Sequence, residues 1–205
     1  YISAYFVTNA DRMEAALAAA GIKATPVEVS NTPPQVIVSY MPAILVPIDG
    51  APLLTPVPGA PGWQRVVNTR ALILRSATAP QYFLRVYDGW LMATALDGRW
   101  ERPFLPPAGI DAVMKTVVAS GVVDPLDGAR RANPKPTLAA GVPTILTSQV
   151  PTELIVFEGA PDFVPLAGTS LKWATNTRSD VLQDTTSGAH YVLLAGRWFR
   201  APALT

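Results

Sequence analysis

The stretch GAPLLTPVPG runs from Gly50 to Gly59, and GAPDFVPLAG runs from Gly159 to Gly168. The two share Gly, Ala, Pro, Pro and Gly at the same places, 109 residues apart. Upstream, at the same spacing, Pro34, Ser39, Pro42 and Leu45 recur as Pro143, Ser148, Pro151 and Leu154. One residue is then dropped from the second copy. At a spacing of 108, Asn68-Thr69-Arg70 recurs as Asn176-Thr177-Arg178. Leu74, Thr78, Trp90, Ala93, Ala95 and Leu96 follow as Leu182, Thr186, Trp198, Ala201, Ala203 and Leu204. Chance likeness between Pro/Gly-rich segments does not produce two long colinear blocks, so the chain reads as a duplicated module.

Each copy carries β signals. In the second, YVLL and RWFRA flank Ala195-Gly196, a two-residue turn in which Gly accepts the positive φ that hairpins need. Tyr191 and Leu193 then share one face of the strand, and Val192 and Leu194 the other. In the first copy, Asp88-Gly89 is read as the bend between YFLRV and WLMA. Each meander should hold at least three antiparallel strands, in a sheet of about four to six. The Gly-Ala-Pro segments should each open a kinked edge strand, because Pro cannot donate to a ladder.

Two helices punctuate this pattern. TNADRMEAALAAAG places Met13, Ala16, Leu17 and Ala20 on one stripe, with Thr8 and Asp11 as a capping pair and Gly21 as the stop. GIDAVMKTVVASG places Ile110, Val113, Met114, Val117 and Val118 on another. The expected fold is mainly β with two short helices (α+β), built as two duplicated antiparallel β-meander modules. Residues 1–123 form an N-terminal segment and first module with both helices. Residues 124–141, DPLDGARRANPKPTLAAG, form a Pro/Gly-rich linker, and 142–205 a truncated second copy.

Composition narrows the function classes. Hydrophobic residues make up 49% of the 205 residues and charged residues 15%, enough to bury a core. The formal net charge of +1 offers no field for nucleic acid, and no nucleic-acid motif is present. Cys is absent, which excludes disulfides, thiolate metal sites and a Cys nucleophile. No apolar run reaches the ~18 residues of a membrane helix. The lone His190 aligns with Tyr82 and suggests a slot for an amphipathic ring rather than a zinc ligand or general base. Asp49 and Glu158 precede the two Gly-Ala-Pro turns, where a carboxylate most simply accepts turn N–H groups. Arg70 and Arg178 suit structural salt bridges beside an Asn-capped turn. No phosphate loop, dinucleotide fingerprint or metal-ligand run occurs. The reading is a non-enzyme with no cofactor and no metal.

Aromatic residues are the candidate binding set: Tyr82, Tyr87 and Trp90 in the first meander, and Tyr191, Trp198 and Phe199 in the second. Such rings serve as core anchors, as an exposed platform for sugar faces, or as contacts between modules or subunits.

The motifs VPTELIVFEGAPDFVPLAGT and YVLLAGRWFRAPAL, with PPQVIVSYMPAILVPIDGAP and VYDGW in the first copy, resemble large exported bacterial repeat proteins often labelled carbohydrate-binding family V/XII. The resemblance covers nearly the whole chain. It implies an internal fragment of a longer export product, in the periplasm, outer envelope or extracellular space, with no catalytic residues to carry over. The expected function is non-catalytic assembly or interaction at the envelope, and the alternative is binding of a chitin- or peptidoglycan-like glycan. Expected partners are other protein chains or the rest of its own polypeptide, or a glycan, with self-association among the options.

Overall fold

The structure is a computed structural model that describes residues 32–128 and 133–204, together with Ala19 and Gly21. Residues 33–205 form one compact unit, distinct from 1–32. The helix expected between Thr8 and Gly21 lies outside the described residues but for Ala19 and Gly21.

The two copies build two five-stranded antiparallel meanders. The first runs β3 (Leu54–Pro56), β4 (Trp63–Val66), β5 (Ile73–Ser76), β6 (Tyr82–Val86) and β7 (Gly89–Ala93), in that spatial order. The second repeats it as β10 (Phe163–Pro165), β11 (Leu171–Ala174), β12 (Val181–Asp184), β13 (His190–Leu194) and β14 (Arg197–Ala201). As the prolines require, each Gly-Ala-Pro leads into an edge strand, β3 or β10. The second hairpin turns at Ala195 and Gly196, with φ of 47° and 79°. In the first, the turn is Tyr87-Asp88, one residue before the expected Asp88-Gly89, and Gly89 begins the strand. Gly89 has a packing reason: a Cβ there would lie 2.7 Å from Leu138 Cδ1.

Whether the copies stand apart or pack together was open in the sequence. They interlock. Strand β1 (Gln35–Ser39) of the first copy pairs in parallel with β9 (Thr152–Val156) of the second, and β2 (Ala43–Pro47) pairs in parallel with β8 (Thr144–Ser148). Under the repeat, β1 corresponds to β8 and β2 to β9, so the two ladders are the same pairing made twice around a local two-fold. The flanking bonds obey it. Gln35 N–H donates to Pro151 O at 3.0 Å and Thr144 N–H to Pro42 O at 2.9 Å; Phe157 N–H donates to Ser39 O and Ile48 N–H to Ser148 O, both at 2.8 Å. Ser39 Oγ turns back on Met41 O, as Ser148 Oγ does on Val150 O. The recurrence of Ser39/Ser148 and Pro42/Pro151 is thereby explained.

Each ladder roofs the inner face of one meander. Val46, Ile48 and Ile145 meet Val66, Ile73, Leu84 and Leu91 in the first core. Ile155 and Phe157, with Val36 and Val38, meet Ala174, Val181 and Val192 in the other. Both cores therefore draw residues from both copies. The outer face of the first meander is covered by α1 (Ile110–Val118), whose Ile110, Val113 and Val117 bury against Leu72, Leu74, Phe83 and Trp90. The 124–141 segment is more than a spacer: Leu126 O accepts from Tyr87 N–H, and buried Leu138 donates its N–H to Asp88 Oδ1.

Candidate functional site

The repeated Gly-Ala-Pro and Asn-Thr-Arg motifs are two halves of one clamp. Asn68 Nδ2 donates to Asp49 O (2.7 Å) and Ala51 O (2.8 Å), and its Oδ1 accepts from Leu53 N–H (2.8 Å). Asn176 does the same with Glu158 O (3.1 Å), Ala160 O (2.7 Å) and Asp162 N–H (2.9 Å). The side-chain amide satisfies three backbone groups that a sharp turn leaves without ladder partners. This corrects two expectations. The turn is held by asparagine rather than by the Asp49 or Glu158 carboxylates, and neither Arg70 nor Arg178 forms an ion pair among the described residues. Arg70 lies exposed at the rim of a broad depression of about 750 Å³, lined also by Asp49, Asp124 and residues of both copies.

The six candidate aromatics do not form one platform. Tyr82, on the inner face, packs into the first core, with the Arg75 guanidinium carbon 5.6 Å from its ring centre. Tyr87 sits in the hairpin turn against the same core, where burial raises the pKa of its hydroxyl. Trp90 is buried beneath α1. Phe199 faces inward and lines a small cavity of about 230 Å³ with Val36, Val38, Ile155 and His190. His190 occupies the slot that Tyr82 fills in the first copy; its ring centre is 5.8 Å from that of Phe163, and its buried Nδ1 has no hydrogen-bond partner among the described residues.

Tyr191 and Trp198 alone of the six share the outer face of the second meander. Cross-strand register extends that face into a stripe. Val164 lies opposite Trp173, Trp173 opposite Leu182, Leu182 opposite Tyr191, and Tyr191 opposite Arg200. Leu193 lies opposite Trp198 in the next row. Val164, Trp173 and Trp198 are 41%, 48% and 51% exposed. Trp173 was missed in the sequence because its counterpart in the repeat is Arg65, so conservation between copies gave no signal; alternation along LKWA points Trp173 to the core, whereas Ala174 takes that face.

The first copy provides the contrast. There Trp90, the counterpart of Trp198, is 3% exposed and donates its Nε1–H to Asp111 Oδ1 of α1 at 2.8 Å. The same sheet position is closed in one copy and open in the other. Among the described residues, no cluster of three His, Asp or Glu side chains is spaced to hold a metal ion, and no helix is long and apolar enough to cross a membrane. Set against protein-family models, curated proteins and solved structures, the chain matches none.

Proposed function

We propose that the protein is a non-catalytic assembly module whose contact surface is the outer face of the second meander. The observation that carries this reading is the row Val164, Trp173, Leu182 and Tyr191, exposed at Val164 and Trp173 and half-buried at Leu182 and Tyr191, with exposed Trp198 beside it, on a sheet whose duplicate buries the same face under protein. Contiguous exposed apolar side chains of this kind mark interaction sites. Aromatic residues and Arg, here Arg200 beside Trp198, are the types that anchor protein contacts. The extracytoplasmic location rests on the resemblance to exported bacterial repeat proteins.

The test is a photocrosslinking side chain placed at position 173 or 198 of the chain expressed in its native host, with adducts mapped by peptide mass spectrometry. A discrete polypeptide adduct at both positions, absent for the same probe at exposed Asp97, is expected. Adducts of carbohydrate only, or none, would overturn the reading.

One observation favours a glycan instead: Trp173, Tyr191 and Trp198 present three rings on one face, and sugar C–H faces stack on such rings. Saturable quenching of tryptophan fluorescence by chitin, cellulose or peptidoglycan, abolished in a folded Trp198→Ala variant, is the result that would establish it.

A further inference from the structure

We infer that the outer face of the second meander is a docking site for an amphipathic α-helix of the Ile110–Val118 type. The helix would carry aliphatic residues at i, i+3 and i+7 and a carboxylate in its first turn for Trp198. The inference rests on the assembly reading above and names the partner's chemistry.

The duplication itself says what fits. On the first sheet Leu74, Phe83 and Trp90 receive Ile110, Val113 and Val117 of α1. Their counterparts on the second sheet are Leu182, Tyr191 and Trp198, which keep apolar side chains and the indole, while buried Leu72 is replaced by exposed Asp180. Ridge spacing is a property of the backbone, and the two sheets share strand order and register. A helix that seats on one meets a matching pleat on the other. The indole is the specific feature. Trp90 Nε1–H finds its acceptor in Asp111, in the first turn of α1, where a carboxylate also suits the helix dipole. Trp198 presents the same donor on an open face.

The differences sharpen the partner. Met92 is replaced by Arg200, two residues from Trp198 on the same face of β14, about 7 Å away along the strand. A cation therefore stands beside the indole donor, and both select for an acidic residue. Arg65 is replaced by Trp173, which widens the apolar floor by one strand toward Val164. A sugar polymer uses the rings but has no need of a carboxylate.

The experiment tethers the known helix to the open face. Thr94–Gly121, the loop and helix that follow β7, is joined after Ala201 of the intact chain. Hydrogen exchange of the Trp198 indole N–H is then read by NMR, the signal assigned with Trp198→Phe. Tethering raises the effective concentration and removes the question of whether a free peptide is helical. Exchange slowed at least tenfold is expected. A graft carrying Ala in place of its Asp should lose most of that protection, and one with Asp at both the Ile110 and Val117 positions should lose all of it. A folded chimera whose Trp198 exchanges as in the parent would overturn the inference, as would equal protection from the stripe-disrupted graft. Should the chimera not fold, the synthetic peptide Pro107–Gly121 is titrated against the intact chain. Saturable shifts of Trp173 and Trp198 support the inference, with binding about tenfold weaker for the Asp111→Ala peptide. No shift at millimolar peptide overturns it. If the helix fails while the crosslink to a polypeptide stands, the contact face survives and only its helical occupant is wrong; if the crosslink fails as well, the assembly reading falls with it.

Discussion

Trp90 donates its indole N–H to Asp111 across the interface between sheet and helix, and the 2.8 Å bond joins two elements of one copy. Trp198, its counterpart, makes no such contact among the described residues and is half exposed. One aromatic position thus stands in two settings: buried under α1 on the first sheet and half exposed on the second.

Trp90→Phe should therefore destabilise the protein by about 2 kcal/mol, from the lost charge-assisted bond and the space left under α1. Asp111→Asn should cost less, since the amide oxygen still accepts. Urea unfolding with the linear extrapolation measures both.

Trp173→Thr and Trp198→Thr should leave stability within about 0.5 kcal/mol of the parent, because each ring is about half exposed and β-branched Thr suits an outward strand position. A large loss of stability in either would show that the outer face of the second meander is already closed.

Asn68→Ala and Asn176→Ala should each cost about 1–2 kcal/mol. Each removes three hydrogen bonds to a turn, and the exposed setting lets water replace part of them. Near-equal losses are expected, because the two clamps share their bonding. Thermal and urea denaturation of the two variants side by side test this.

Ile155→Ala, at a position 1% exposed on β9, should cost about 2–5 kcal/mol. Since β9 pairs with β1 of the other copy, the variant should still unfold in one calorimetric transition that takes both meanders together. A first melt confined to the second meander would contradict the interlock.

Asp184 carries the acid response of the turn at Thr185–Gly188. Ser187 Oγ–H and Thr186 N–H donate to its carboxylate, and a bond from Ser170 adds to them. Its pKa is held down from 3.8 to about 2. The folded state binds this proton less tightly than the unfolded chain. The stabilisation is full above pH 3.8 and is lost as pH falls toward about 2. Asp184→Asn should flatten the pH dependence of stability across that window and leave it unchanged above pH 5. Urea midpoints between pH 2 and 6 decide it.

Local signals in the sequence determined the elements. Alternation, turn residues and the 109-residue repeat were enough for two antiparallel meanders with proline-kinked edges, and the Ile110–Val118 stripe was enough for its helix. These patterns are written by backbone sterics and by the period of burial, and both act over a few residues. Partner choice between distant segments has no such local trace. Nothing in QVIVS or TELIV says that they pair with each other in parallel rather than each within its own copy; that follows only when both strands roof a common pair of cores. Nor does the sequence separate Trp90 from Trp198, which sit in equivalent strands after equivalent turns. Only the packing of α1 on one sheet and not on the other decides that the first indole is buried and the second is open.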